Sequence, residues 1–235
     1  IFADLEMIEK VLEKRRKVAR NDKEVAKEVA VLDKVKEVLE EGKSARVLNL
    51  NDDEKKLLRS YQLLSTKPII YVCNVNEEDA ANDGAGNTYV AKVREFAAGE
   101  NAEVSIVSAK IEQEISELDT DEEKEDFLEM LGLSESGTDK VIKDSYKTLD
   151  LISYLTTGEM ETRAWTIKDG TKAVDAAGKI HSDISRGFIK AEIVSYEDLV
   201  DSGSINAARE RGLLRMEGKD YIMKDGDVVN FKFNV

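Results

Sequence analysis

Two short segments carry side chains that could recognise a ligand. Asn74-Val75-Asn76-Glu77 directly follows the apolar run Ile69-Ile70-Tyr71-Val72-Cys73, and Ser108-Ala109-Lys110 directly follows Glu103-Val104-Ser105-Ile106-Val107. An amide, a carboxylate, a hydroxyl and an ammonium are hydrogen-bonding groups suited to reading the edge of a flat heterocycle. A carboxylate can accept from two adjacent donors at once, and guanine presents such a pair in its N1–H and exocyclic amine. Adenine has an acceptor at N1 and no amine beside it, so a carboxylate aimed there is left unpaired at a cost. An amide such as Asn74 can bond the N6/N7 edge of adenine. The candidate recognition residues of the two segments are Asn74, Val75, Glu77, Ser108, Ala109 and Lys110. A backbone N–H near Ala109 would complete the pocket, with Ser108 or Lys110 shaping it. No catalytic residue and no metal ligand is assigned. Alternatively, Asn74 and Glu77 merely cap the turn after a buried strand. Either segment alone is weak; their weight lies in following two consecutive strands.

The elements that must position these residues follow from periodicity. A strand over 69–73, a helix over about 87–98 ended by Gly99, and a strand over 103–107 predict a right-handed crossover in a parallel sheet. Ligands bind such sheets at the carboxyl ends of the strands, where both segments fall. Upstream, Leu5, Ile8, Leu12 and Val18/Ala19 predict a helix over 3–20. Asn21 with Glu24 reads as the cap of a second helix, which carries Val25, Val29, Leu32, Val35 and Leu39 and stops at Gly42. A turn this short folds the pair into an antiparallel hairpin of coiled-coil type. Asn51 with Glu54 starts a third helix, expected to run to Lys67-Pro68. Further helices are expected over 121–131 and 138–149.

From about 151 the pattern changes to strands at 151–157, 163–167 and 188–194, with a short helix over 172–179 and a helical patch near 206–211. Tyr221-Ile222-Met223 and Val228–Val235 read as a hairpin around Asp225-Gly226. Val229, Phe231, Phe233 and Val235 alternate on one face and are expected in the core. A small mixed sheet with one main helix is a β-grasp pattern.

Charge is distributed unevenly over the 235 residues, whose net charge is −14. That acidity argues against nonspecific nucleic-acid binding by the whole molecule. Ten acidic side chains lie between Glu112 and Glu129 against Lys124 alone, whereas Lys14, Arg15, Arg16, Lys17, Arg20 and Lys23 cluster at the hairpin tip. Such a basic end is a candidate RNA or partner contact, or else a solvated helix face. Cys73 is the one cysteine, so no intrachain disulfide can form, and its place at the end of an apolar run predicts a buried, inert thiol. The one histidine, His181, is expected to cap a turn. No apolar run approaches a membrane span and no signal-peptide pattern opens the chain. The start at Ile1 fits a fragment or a trimmed chain.

The two segments resemble the N-K-x-D and S-A-K loops of P-loop GTPases, with Val75 for the lysine and Glu77 for the aspartate, and that resemblance implies that they read a nucleotide base. Guanine preference should be weakened by both changes. The phosphate loop G-x-x-x-x-G-K-[ST] is absent from the sequence. Along its whole length the chain resembles the YchF/Obg-like ATPases. The likeness is carried by Phe2-Ala3-Asp4-Leu5-Glu6, Lys67-Pro68-Ile69, Asn74-x-x-Glu77, Ser108-Ala109-Lys110, Arg163-Ala164-Trp165-Thr166-Ile167, Arg186-Gly187-Phe188-Ile189 and Glu217-Gly218-Lys219-Asp220-Tyr221. The resemblance implies an α/β protein. It would comprise a helical-hairpin insertion (1–66), the second half of a GTPase-like parallel sheet (67–152) and a ubiquitin-like β-grasp (TGS) domain (153–235). It further implies ATP preferred over GTP, Mg²⁺ held outside this chain, a ribosome, translation-factor or RNA partner, and a cytoplasmic setting. Because the phosphate loop and switch residues of that family precede the part matching Ile1, the chain alone is expected to be inactive. A different possibility is a non-catalytic RNA- or protein-binding adaptor.

Overall fold

Helical spacing of apolar residues builds the first two elements, α1 (Phe2–Val18) and α2 (Lys23–Glu40). Ile8 and Leu12 of α1 bury against Val31, Leu32, Val35 and Leu39 of α2. The cross-helix ion pairs Lys36–Glu9, Asp33–Arg16 and Glu28–Arg15 fix the pair as antiparallel. The cap of α2 is Asp22, which accepts from Glu24 N and Val25 N, rather than the expected Asn21. Past the last turn, the Gly42 N–H bonds Leu39 O and the Lys43 N–H bonds Val38 O, with Gly42 at φ 75°. That left-handed residue is what ends the helix there. Val18, expected on the seam, is half exposed, and no residue from 13 to 27 is buried.

The computed structural model describes residues 1–158 and 161–234. They fall into two compact units, Ile1–Asp144 and Ser145–Val235.

In the first unit, α3 (Asp52–Arg59) begins with the expected Asn51/Glu54 capping box. It is shorter than expected, because Gln62 turns at φ 51° and only a 3-10 turn, Leu64–Thr66, precedes Pro68. Leu50, Leu58 and Leu63 close the base of the hairpin core. Then follow β1 (Ile70–Asn74), α4 (Glu77–Ala81), α5 (Thr88–Gly99), β2 (Glu103–Val107), α6 (Ala109–Ser116), α7 (Asp121–Met130) and α8 (Gly137–Thr148), whose last turn from Ser145 belongs to the second unit. β1 and β2 pair in parallel, as the crossover predicts. The short helices α4 and α6 were not expected; both candidate segments run straight into them. Cys73 is half-buried rather than buried.

The second unit contains β3 (Leu151–Thr157), β4 (Thr162–Lys168), α9 (Ala173–Ile180), α10 (Ser182–Arg186), β5 (Phe188–Ser195), α11 (Tyr196–Ser202), α12 (Ile205–Glu210), β6 (Arg215–Glu217) and β7 (Asp227–Phe233). The sheet order is β4-β3-β7-β5-β6, with β3 and β7 parallel at its centre and the other neighbours antiparallel. Tyr154, Phe188, Ile193, Val229 and Phe231 meet Ala173, Ala176 and Ala177 of α9 on one face. On the other, Val194 and Val228 meet Ala208 of α12. The expected hairpin around Asp225-Gly226 does not form: Ile222 makes an isolated bridge to Lys172, and β7 pairs with β3 and β5. Phe233 is 44% exposed and lies outside the core; Val235 lies outside the described residues. His181 caps α10, its Nδ1 accepting from Asp183 N at 3.1 Å. A Cβ at Gly187 would stand 2.1 Å from the Asn234 carbonyl oxygen, so only glycine lets that residue cross the end of β7.

One buried carboxylate ties the hairpin to the segment leading into β1. Asp4, 5% exposed, accepts from Leu64 N at 3.2 Å and Ser65 N at 2.7 Å. Burial pushes its carboxyl up, but the hydrogen bonds from Ser65 and Leu64 outweigh this and hold it below the ordinary 3.8. Asp4→Ala leaves two buried donors without a partner and is expected to cost about 1–3 kcal/mol in urea unfolding. With the folded value depressed, the contribution of Asp4 is present above pH 3.8 and lost as pH falls through the lower folded value. The wild-type and Asp4→Ala curves should therefore converge on acidification, and a gap that stays constant below pH 3.8 would contradict this.

Candidate base-reading site

Parallel pairing sets Asn74 opposite Val107, so β1 and β2 end together, and the Val75 N–H extends the ladder to Val107 O at 2.8 Å. The two segments thus leave the sheet side by side. Asn74 Oδ1 accepts the Ala109 N–H at 3.1 Å. Lys110, the next residue, ion-pairs through Nζ with Glu77 and stands 3.8 Å from Glu114. The Glu77 hydrogen bond, then the charges of Glu77 and Glu114, push the Lys110 ammonium upward. Four of the six sequence-derived residues, Asn74, Glu77, Ala109 and Lys110, are thus joined directly.

Capping of the turn falls to Asn76, whose Oδ1 accepts from Asp79 N at 2.7 Å at the start of α4. Asn74 reaches across to the facing segment instead, and Glu77 is the first residue of α4. Asn76 was missed, although Asn followed three residues on by an acid was legible. With Oδ1 engaged, Asn74 keeps an Nδ2 that meets no partner among the described residues. That donor suits N7, which adenine and guanine share, so it would serve either purine without distinguishing the two. The Ala109 amide, expected to face the base, is the group that Asn74 holds.

Beside these residues lies a cavity of about 270 Å³, lined among others by Ala80, Asp83, Ile106, Ser108, Ile111 and Glu112. Ser108 is buried at 3% exposure, and its Oγ has no hydrogen-bond partner. Asp83, at φ 51°, pairs with Arg94 at 2.6 Å and with Lys140. Burial raises its carboxyl, but Lys140 and Arg94 bring it below the ordinary value. Glu112, from the acidic run, accepts Gly137 N at 2.7 Å and Thr138 N at 3.1 Å, capping α8 from α6.

The basic cluster at the hairpin tip divides in two. Arg15 and Arg16 pair with Glu28 and Asp33 of α2. Lys14, Lys17, Arg20 and Lys23 have no acidic partner among the described residues.

Comparison with known proteins bears on this arrangement. A family described as YchF-GTPase_C, protein of unknown function (DUF933), matches residues 151–234. The Ribosome-binding ATPase YchF of Bacillus subtilis is 52% identical over 236 residues, covering all of this chain and 64% of its own length. That of Haemophilus influenzae is 45% identical over 235 residues, covering all of this chain and 63% of its own. Over its whole length the chain is similar to proteins named YchF. It spans a little under two thirds of these relatives. The solved Schizosaccharomyces pombe YchF GTPase superposes with a TM-score of 0.84 at 33% identity, over 98% of this chain and 62% of that one. A GTP-binding protein from Pyrococcus horikoshii shares the fold alone, with a TM-score of 0.51 at 20% identity over 81% of this chain and 55% of its own. The YchF likeness thus embraces both segments, the hairpin and the mixed sheet.

Removing the Asn74 bridge gives a direct check of the geometry. Asn74→Ala frees the Ala109 N–H, which should exchange with deuterium several-fold faster, while the fold loses about 1 kcal/mol. Unchanged protection at Ala109 would show that the bridge does not form in solution.

Proposed function

We propose that this chain is the base-reading and partner-binding portion of a YchF-type P-loop ATPase that prefers ATP over GTP and works on the ribosome. The observation that carries this is the Asn74–Ala109 hydrogen bond across the carboxyl ends of two paired parallel strands. There a purine N7 would meet Asn74 Nδ2. A two-stranded parallel sheet is rare alone, and Val72 of β1 is 53% exposed, which supports completion of the sheet by further strands. The phosphate loop would belong to the remaining third of the relatives' length. Mg²⁺ would be held there too, with the nucleotide phosphates. ATP preference follows from Val75 and Glu77 in place of the lysine and aspartate that read guanine. The names of the relatives, Ribosome-binding ATPase, support the ribosome as partner and a cytoplasmic setting.

The same proposal divides the chain into a helical hairpin (1–66), half a nucleotide domain (67–152) and a β-grasp, TGS-like domain (153–235). The order β4-β3-β7-β5-β6, with first and last strands parallel at the centre and α9 across one face, supports the β-grasp assignment. In the full-length protein, Val75→Lys with Glu77→Asp should shift relative affinity from ATP towards GTP by at least tenfold, read by competition against a fluorescent nucleotide. Unchanged relative affinities would reduce Glu77 to a helix-start residue.

A second reading, an RNA- or protein-binding adaptor, is favoured by Lys14, Lys17, Arg20 and Lys23, which the hairpin does not use to pair its own helices. Reversing these four charges should weaken ribosome co-sedimentation and flatten its salt dependence by roughly one unit of log–log slope per lost phosphate contact. Nucleotide affinity should stay as it is. Unchanged sedimentation across a salt series would place the contact elsewhere.

A further inference from the structure

Guanine selection by a carboxylate requires both oxygens to face the N1–H and the amine together. Glu77 is not free to do this: its carboxylate is held by Lys110 of the facing segment. The hold is built into the backbone. Asn74 fixes the Ala109 amide, and Lys110 follows at the second position of α6, opposite Glu77 at the first position of α4. Glu114, one helical turn further, is the only other acidic group beside the ammonium among the described residues, at 3.8 Å. Asn74 offers N7 a donor that both purines accept equally, so discrimination must come from elsewhere in the site.

We propose that Lys110 is a positioning residue for purine selectivity: by engaging Glu77 it withholds the carboxylate of the first base-reading segment from guanine. Adenine needs no carboxylate and loses nothing by the pairing. Guanine must either break the ion pair or leave its N1–H and amine without a protein acceptor. Lys110 thus adds to the longer side chain of Glu77 as a cause of ATP preference. Both partners are partly exposed, with side chains 68% and 40% accessible, so breaking the pair is cheap and the effect is bounded.

This rests on the nucleotide-binding proposal above, and the experiment separates the two. In the full-length protein, ATP and GTP compete against a fluorescent nucleotide. Lys110→Met keeps the stem but removes the charge, and should raise GTP affinity relative to ATP by up to about fivefold. Lys110→Arg restores the pair and should return the ratio to wild type. Glu77→Gln in the Lys110→Met background should erase the gain, because the effect acts through that carboxylate. A ratio unchanged in Lys110→Met, or a gain that survives Glu77→Gln, overturns the role of Lys110 and leaves the base-reading site standing. If the wild type and all variants compete with neither nucleotide, the site itself falls and this inference with it.

Discussion

One hydrogen bond, from the Ala109 amide to the Asn74 side chain, sets the spacing of every group in the candidate site. It can form only because β1 and β2 end at the same level. That level depends on register, and register on burial: Ile106, Ile111, Val90 and Ala97 are all nearly inaccessible. Sliding one strand by a single residue would turn its buried side chains to the opposite face and carry Asn74 away from the Ala109 amide. Core packing thus specifies the placement of an exposed polar constellation. The groups proposed to meet the ligand need little stability of their own.

A second polar junction performs the same service at the other end of β1. Glu100, just past α5, accepts from Ser44 Oγ at 2.8 Å and Tyr71 Oη at 2.7 Å, with Arg46 at 3.7 Å. Burial raises its carboxyl, but Tyr71, Ser44 and Arg46 hold it below the ordinary value. Ser44 and Arg46 come from the base of the hairpin and Tyr71 from β1. Together with Asp4, this cluster fastens the helical hairpin to the parallel strands at one buried and one part-buried carboxylate. In the second unit Asp227 does comparable work, with Tyr221, Arg215 and Lys224 N around it at the mouth of β7.

Sequence periodicity located most elements, because strands buried in a parallel sheet and helices with one apolar face leave strong patterns. β2 and β3 fall on their expected residues, and α5 and α8 within one residue of theirs. What periodicity could not see was pairing at a distance. Asp225-Gly226 looks like a hairpin turn, yet β7 finds β3 and β5 instead, since a central place buries Val228, Val229 and Phe231 on two faces. Alternation alone put Phe233 in the core; the strand outruns the helix layer and leaves it uncovered. In the site, residue types and position after two strands were enough to select Asn74, Glu77, Ala109 and Lys110. Their mutual bonds were not legible, because a bond across 33 or 35 residues of chain has no local signature. Asn76 was legible and overlooked, hidden by the more suggestive Asn74 beside it.

The uneven burial along α1 and α2 has a mechanical consequence. Packing ends near Leu12 and Val31, and the remaining six residues of α1, Glu13–Val18, project about 9 Å beyond it. Over that length only ion pairs and a few half-buried contacts join the two helices. The hairpin is therefore a cantilever: clamped at its root by Asp4 and Glu100, stiff along its apolar seam, and compliant towards its charged end. A sideways load at that end acts with leverage on the last packed layer, so bending concentrates at Leu12 and Val31 and reaches the clamped root as torque.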